Sequence, residues 1–131
     1  ADVKREGADV SIVTYGALVH KSLEAAENLA ERGISVEVVD LRTVHPIDEE
    51  TVLSSIAKTS RALVVTESYR SVGIGAEVGA TIAEKAFEHL DAPVTRLAPP
   101  NMPVPFSPTL EDAFLPQVAD IERAVEGLSA W

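Results

Sequence analysis

Short apolar runs alternate with helix-like segments along this chain, and no other feature constrains its fold as strongly. Residues 10–15 are largely β-branched and apolar, which predicts a strand. Residues 17–32 carry apolar side chains at spacings of three and four, which predicts an amphipathic helix that stops at Gly33. The same succession then recurs twice. Further strands are predicted at residues 34–41, 61–68 and 94–97, and further helices after Asp48 and after the glycines within 73–79.

This alternation determines the fold class. Repeated strand–helix units indicate crossover connections between parallel strands. The sequence therefore predicts an α/β fold with a largely parallel sheet between helical layers. The helix after the glycines is predicted to turn one side toward the sheet, and a last helix is predicted with Pro116 in its first turn. The inward side chains of the first of these two helices are expected to be Ile82, Ala83, Ala86, Phe87 and Leu90.

Two segments fall outside the alternation. Residues 1–9 are polar and are predicted to be an interdomain linker, which leaves residues 10–131 as the domain. Residues 98–108 contain five prolines, which exclude regular structure because proline lacks an N–H donor and fixes its own φ. The apolar Met102, Val104 and Phe106 favour an extended strap on the domain surface. The alternative is a ligand for proline-recognition modules.

The composition excludes several classes of partner. Eleven basic against 21 acidic residues give a net charge of −10, which repels nucleic acid. No apolar run approaches the ~20 residues that a membrane-spanning helix needs, so no membrane partner is expected. The absence of cysteine rules out disulfides and is typical of the cytoplasm, or of the mitochondrial matrix in a eukaryote. A hydrophobic content of 46% indicates either a well-filled core or a surface that packs against other subunits.

The glycines at positions 73, 75 and 79 raise the possibility of a phosphate cradle. A dinucleotide fingerprint places its glycines directly after a strand, but seven residues separate Val65 from Gly73. Glu77 also brings a negative charge into the first helical turn, where it competes with an anion. A structural role is therefore favoured, in which Gly73 and Gly75 permit a tight loop and Gly79 lets helix and sheet approach closely. A nucleotide-binding regulatory domain is the alternative.

The remaining reactive side chains form no catalytic pattern. The three histidines are far apart in sequence and lack metal-ligand spacing, and no serine lies in a G-x-S-x-G elbow. The sequence therefore predicts no catalytic, cofactor-binding or metal-binding residue.

Whole segments of the chain nevertheless resemble a known family. These are "DLRTVHPID", "GIGAEV" and "LDAPVTRL" in this order, within longer matching stretches that cover nearly all residues. They resemble the C-terminal domain of the beta subunit of thiamin-diphosphate-dependent 2-oxo acid dehydrogenases, which act on pyruvate, branched-chain 2-oxo acids or acetoin. Alternative parents with the same fold are transketolase and deoxyxylulose-phosphate synthase.

The resemblance implies a transketolase C-terminal-like domain for residues 10–131. Such a domain has three layers, α/β/α, and a mostly parallel five-stranded sheet with one antiparallel edge strand. Only four strands are predicted from the residues themselves, so the fifth lies either within residues 98–115 or elsewhere in the chain, at a strand that the patterns do not identify. In the parent enzyme, thiamin diphosphate and magnesium bind between the alpha subunit and the N-terminal domain of the beta subunit. The resemblance thus implies that the parent is an oxidoreductase and that this domain alone binds no cofactor and is inactive.

The resemblance also implies partners. The domain is expected to pair with a second beta subunit, to assemble with the alpha subunit and to receive a basic peripheral subunit-binding domain of the acyltransferase core. Asp91 in "LDAP" matches an acidic position of the family and is expected to form an ion pair with that docking domain. Arg42 in "DLRT" is expected to be structural and to tie its loop to Asp40 or Asp48.

Overall fold

A five-stranded sheet forms the centre of the computed structural model, which describes all residues from 1 to 131. Its strands are β1 (Asp2–Arg5), β2 (Val10–Thr14), β3 (Val36–Asp40), β4 (Ala62–Val65) and β5 (Thr95–Leu97). The helices are α1 (Leu18–Ala30), α2 (Glu49–Thr59), α3 (Ile74–Lys85), α4 (Pro108–Phe114) and α5 (Val118–Ser129), with a 3-10 turn at Phe87–His89. None of the helices has the length and apolarity needed to cross a lipid bilayer.

The order of the strands confirms the predicted fold class. The order is β1-β3-β2-β4-β5, in which β3, β2, β4 and β5 are parallel and β1 runs antiparallel to β3 at the edge. The chain is thus a three-layer α/β/α domain with a mostly parallel sheet and one antiparallel edge strand.

The fifth strand comes from an unexpected part of the chain. It is β1, within the residues predicted to be a linker, and no strand forms between residues 98 and 115. An edge strand pairs on one side only, so it needs no continuous apolar run. In β1 the one apolar residue is Val3, which is only half-buried. The pairing with β3 depends on contacts distant in sequence, which local patterns do not reveal.

Apolar side chains fill both faces of the sheet. The two faces alternate along β2, where Ile12 belongs to the core under α1 and α5 and Val13 to the core under α2 and α3. Near the end of α3 the outcome differs from the prediction, since Ala83 and Phe87 are exposed. The helix ends at Lys85, so its periodicity no longer applies to Phe87.

Candidate protein-contact surfaces

The space beside each glycine of residues 73–79 is occupied by the protein itself. A Cβ on Gly73 would lie 2.2 Å from the main-chain oxygen of Tyr69. On Gly75 it would lie 3.0 Å from a methyl carbon of Thr66, and on Gly79 3.2 Å from Cδ of Arg96. Gly73 thus closes the loop, whereas Gly75 and Gly79 are buried within α3. Gly75 therefore lets α3 lie close to Thr66 at the end of β4. The predicted role of Gly75 in the loop was wrong.

The loop before α3 is joined to the strap by reciprocal hydrogen bonds. Arg70 Nη1 donates to the carbonyl of Arg96 at 2.9 Å, and Arg96 Nη1 donates to the carbonyl of Arg70 at 2.7 Å. Ser71 N–H donates to Asn101 Oδ1 at 3.1 Å, and Asn101 Nδ2 donates to Ser71 Oγ at 2.7 Å. The start of the strap is therefore held in place by the loop.

Beyond this anchor, the strap carries apolar side chains into solvent. Phe106 is fully exposed and Val104 is 54% exposed, and Met102 and Leu110 are also exposed. We call these four residues the strap surface. They border an apolar groove of about 550 Å³ whose wall includes the buried Phe114. The segment has no regular structure up to Ser107, as predicted, but its apolar side chains do not pack down on the domain.

A second groove, of about 600 Å³, lies along the outer side of α3, and we call it the α3 groove. Its floor includes the small residues Gly79, Ala80 and Ala83, and two exposed aromatic side chains, Phe87 and Trp131, stand at its edge. Small residues let another chain approach closely, and exposed aromatic rings supply apolar area for burial. This arrangement suits contact with another protein.

Asp91 also lines the α3 groove. Its main-chain N–H donates to the carbonyl of Ser60 at 2.8 Å, which fixes the backbone. The residue is exposed, and its carboxylate forms no salt bridge within the chain. An exposed carboxylate therefore lies beside an apolar cavity.

Arg42 lies far from these surfaces, in the loop after β3. Its backbone is left-handed, with φ of 61°, and its N–H donates to Asp40 Oδ1 at 3.0 Å. The guanidinium faces Asp2, at 3.8 Å. Asp48 instead caps α2, where it accepts hydrogen bonds from Thr51 N–H at 3.1 Å and Thr51 Oγ1 at 2.7 Å. The loop is thus tied to Asp40 through the main chain and to Asp2 through the side chain.

The donor set does not fit magnesium diphosphate. No group of three or more histidine, aspartate or glutamate side chains lies close enough together to hold a metal ion. The space beside the glycines is taken by Tyr69, Thr66 and Arg96. We therefore derive no chemical step through a cofactor on these residues.

Sequence reasoning did not identify one group, Glu37 in β3. Its carboxylate is buried and accepts hydrogen bonds from Lys58, from Ser55 Oγ at 2.6 Å and from Gly7 N–H at 3.1 Å. Burial raises the pKa of Glu37, but these three donors outweigh it and hold the pKa below its ordinary value. A glutamate inside the apolar stretch "ISVEVVDL" was the available signal.

Comparison with known proteins gives consistent matches. The family model described as transketolase, C-terminal domain, matches residues 1–121. The beta subunit of an acetoin:2,6-dichlorophenolindophenol oxidoreductase from Cupriavidus necator is 49% identical over 95% of this chain and 37% of its own length. The beta subunit of the pyruvate dehydrogenase E1 component from Bacillus subtilis is 53% identical over 92% of this chain and 37% of its own length.

A solved structure matches over nearly the whole chain. It is a split-gene transketolase, described as an inactive beta4 tetramer, which superposes with a TM-score of 0.84 at 29% identity. The match covers 98% of this chain and 41% of that one. The chain therefore spans well under half the length of these relatives.

Proposed function

Because the chain belongs to the transketolase C-terminal domain family, we propose that it is the C-terminal domain of the beta subunit of a 2-oxo acid dehydrogenase. Its work there is subunit assembly and partner docking. Identities of 49% and 53% to beta subunits of acetoin and pyruvate enzymes favour this parent. The split-gene transketolase is only 29% identical. A dehydrogenase parent is therefore favoured over a transketolase or deoxyxylulose-phosphate synthase parent.

The observation that carries the assembly role is the strap surface. Burying a side chain such as Phe or Val contributes about 1.5–3 kcal/mol. Four such side chains next to one another are left in water by this fold, with Phe106 fully exposed. Contiguous exposed apolar patches of this kind mark protein-interaction sites. The strap surface carries no charged side chain, so it suits an apolar partner surface, and we assign it to the alpha subunit.

We assign the α3 groove to pairing with a second beta subunit. Two copies of a chain with net charge −10 repel each other, so apolar contacts are needed to hold them together, and most residues that line this groove are apolar. The groove offers a floor of small residues and an exposed Phe87, so a ring from one copy fits the floor of the other. The assembly named for the split-gene transketolase, a beta4 tetramer, supports self-association of beta chains.

The docking role rests on charge. A net charge of −10 attracts a basic partner and speeds its encounter. Asp91 supplies an ionised carboxylate with no internal salt bridge, at the groove where we place the paired beta subunits. We propose that it pairs with a basic residue of the peripheral subunit-binding domain.

We propose that the catalytic reaction of the parent enzyme takes place outside this domain. The parent oxidatively decarboxylates a 2-oxo acid and acylates lipoyl groups, with thiamin diphosphate and magnesium held by the alpha subunit and the rest of the beta subunit. We propose that this domain alone is inactive. We place the enzyme in the cytoplasm, or in the mitochondrial matrix of a eukaryote.

Calorimetry with the assembled enzyme tests the docking role. The full beta subunit, assembled with its alpha subunit, is titrated with a peripheral subunit-binding domain at low salt. Asp91→Asn should weaken binding at least tenfold. The matched control is Glu24→Gln, which removes one exposed charge on α1 and should change the affinity less than twofold. Equal losses of affinity in the two variants would show that binding depends on the overall negative charge and not on Asp91. No binding by the wild type would refute docking.

A further inference from the structure

Glu37 is the only charged residue that is fully buried, with 1% of its surface exposed. It lies in β3 between Val36 and Val38, whose side chains belong to the core under α1 and α5. Because side chains alternate along a strand, Glu37 faces α2. A buried carboxylate costs several kcal/mol unless it is paired and hydrogen-bonded. The groups that bond to the Glu37 carboxylate therefore indicate its role.

The hydroxyl groups beneath α2 are ordered by this carboxylate. Ser55 Oγ lies 2.6 Å from Glu37 Oε2 and 2.7 Å from Ser11 Oγ, which lies 2.7 Å from Thr59 Oγ1. An ionised carboxylate only accepts, so Ser55 donates to it. Ser55 Oγ can then only accept from Ser11, whose hydroxyl also lies 3.2 Å from the carbonyl of Ser55. The charge on Glu37 thus fixes the donor in its own bond with Ser55.

The same carboxylate holds the leading segment of the chain. Gly7 N–H donates to Glu37 Oε1 at 3.1 Å, and Lys58 bridges Glu37 and Glu6. A Cβ on Gly7 would lie 2.2 Å from the main-chain nitrogen of Glu37, so the segment lies directly against β3. The segment is therefore joined to α2 through one buried negative charge.

The other contacts of the leading segment lie at the sheet edge and the surface. β1 has four residues, lies at the sheet edge and has a register irregularity between Val3 and Arg5. Its only apolar side chain, Val3, is half-buried beside a cavity of about 380 Å³ that also borders Glu37 and Lys58. Beyond the ladder to β3, the contacts independent of Glu37 involve exposed groups. Arg42 Nη1 lies 3.8 Å from Asp2, and the N–H groups of Ala8 and Asp9 donate to the carbonyl of Ser35 at 3.3 Å and 2.8 Å. Glu37 is the buried side chain among the groups that contact the segment.

We propose that the Glu37 carboxylate is a charge-dependent clamp that holds residues 2–7 on the sheet. When the charge is removed, this segment detaches while the rest of the domain stays folded. The charged groups around Glu37 are Lys58 and Glu50 of α2 and Glu6 of the leading segment. Lys58 supplies the compensating positive charge. The clamp goes beyond the assembly role and does not depend on it.

Hydrogen exchange on Glu37→Gln tests the clamp. Glutamine keeps the shape but has no charge and only one acceptor oxygen, so it cannot accept both from Gly7 and Lys58 at the Oε1 position and from Ser55 at the Oε2 position. We expect amides of residues 2–7 to exchange at least tenfold faster than in the wild type, with β2 and β4 unchanged. The control is Glu49→Gln on α2, the helix that carries Lys58. It breaks the exposed pair between Glu49 and Lys85 of α3 and should leave residues 2–7 unaffected. Equal acceleration throughout, or none at residues 2–7, would overturn the proposal.

A pH titration of the wild-type protein tests the clamp without a substitution. The amide proton of Gly7 reports the ionisation of Glu37, since it donates to that carboxylate. We expect its NMR shift to titrate below the ordinary pKa of a glutamate, and protection of residues 2–7 to fall at the same midpoint. Loss of that protection together with global unfolding, or without a shift at Gly7, would refute the clamp.

Discussion

Arg70 and Arg96 each donate a guanidinium hydrogen bond to the other's main-chain carbonyl, at 2.9 Å and 2.7 Å. Arg70 lies in the loop before α3, and Arg96 lies in β5, shortly before the strap. The exchange links the loop that follows β4 to the neighbouring strand β5. Because the strap surface begins six residues beyond Arg96, this pair fixes the strand from which the strap leaves the sheet.

Replacing Arg70 should loosen the strap without unfolding the domain. Arg70→Ala removes one donor of the exchange, and we expect a loss of about 1 kcal/mol in the free energy of unfolding. Limited proteolysis should cut within residues 98–107 faster than in the wild type. Arg123→Ala, which breaks an exposed pair with Asp120 on α5, is the matched control. Unchanged cleavage of the strap would show that the arginines do not hold it.

Alanine substitutions should rank the glycines by the space beside them. Gly73→Ala meets a main-chain oxygen at 2.2 Å and should cost about 2 kcal/mol or more, measured by urea unfolding. Gly75→Ala should cost about 1 kcal/mol, and Gly79→Ala little, since the flexible Arg96 can move. Gly127→Ala, with nothing within 4 Å in α5, should stabilise by about 0.5–1 kcal/mol. If Gly73 instead lined an open cradle for a ligand, Gly73→Ala would leave the free energy of unfolding of the ligand-free protein unchanged.

Sequence patterns predicted most of the fold because its central strands are buried on both faces and its helices have one apolar side. The patterns fail where burial is partial. β1 is polar, and its pairing with β3 joins residues more than thirty positions apart, such as Asp2 and Asp40. α4 has seven residues and one buried side chain, Phe114, so it shows no periodicity.

The contact surfaces were harder to predict than the fold. Apolar residues at Met102 and Phe106 indicate burial, but a sequence does not say whether its own domain or a partner provides it. Phe87 follows the helical phase of α3 in sequence, yet the helix ends two residues earlier. For Glu37, a strand covered on both faces gives no sign of which face a polar residue occupies. Its donors, Gly7 and Ser55, lie thirty and eighteen positions away.

The carboxyl of Asp48 should titrate at unusually low pH. The hydroxyl and then the N–H of Thr51 lower the pKa of Asp48 to about 2. Since the folded pKa lies below the unfolded one, the contribution of this cap is present at neutral pH and is lost as the pH falls through about 2. In an NMR titration, Thr51→Val should raise this pKa, whereas Thr51→Ser should preserve it. An unchanged pKa in Thr51→Val would contradict the assignment of the shift to the hydroxyl.

The strap surface should govern contact with the alpha subunit. Phe106→Ser removes a fully exposed ring, so the free chain should lose little stability. Assembly with the alpha subunit should weaken at least tenfold, since a buried Phe contributes about 1.5–3 kcal/mol. Co-purification at falling concentration measures the effect. Val44→Ser, an exposed apolar residue outside both surfaces, is the control, and equal losses in the two variants would reject this assignment.

Sedimentation of the full beta subunit with its alpha subunit tests the central claim most directly. The wild type should form a tetramer of two alpha and two beta chains. Phe87→Ser removes one ring per copy across a twofold contact, so pairing of beta subunits should weaken about 100-fold or more, while Val44→Ser keeps the tetramer. The domain is then an assembly module. A tetramer of unchanged mass and affinity in Phe87→Ser, or a wild type without paired beta subunits, would contradict that account.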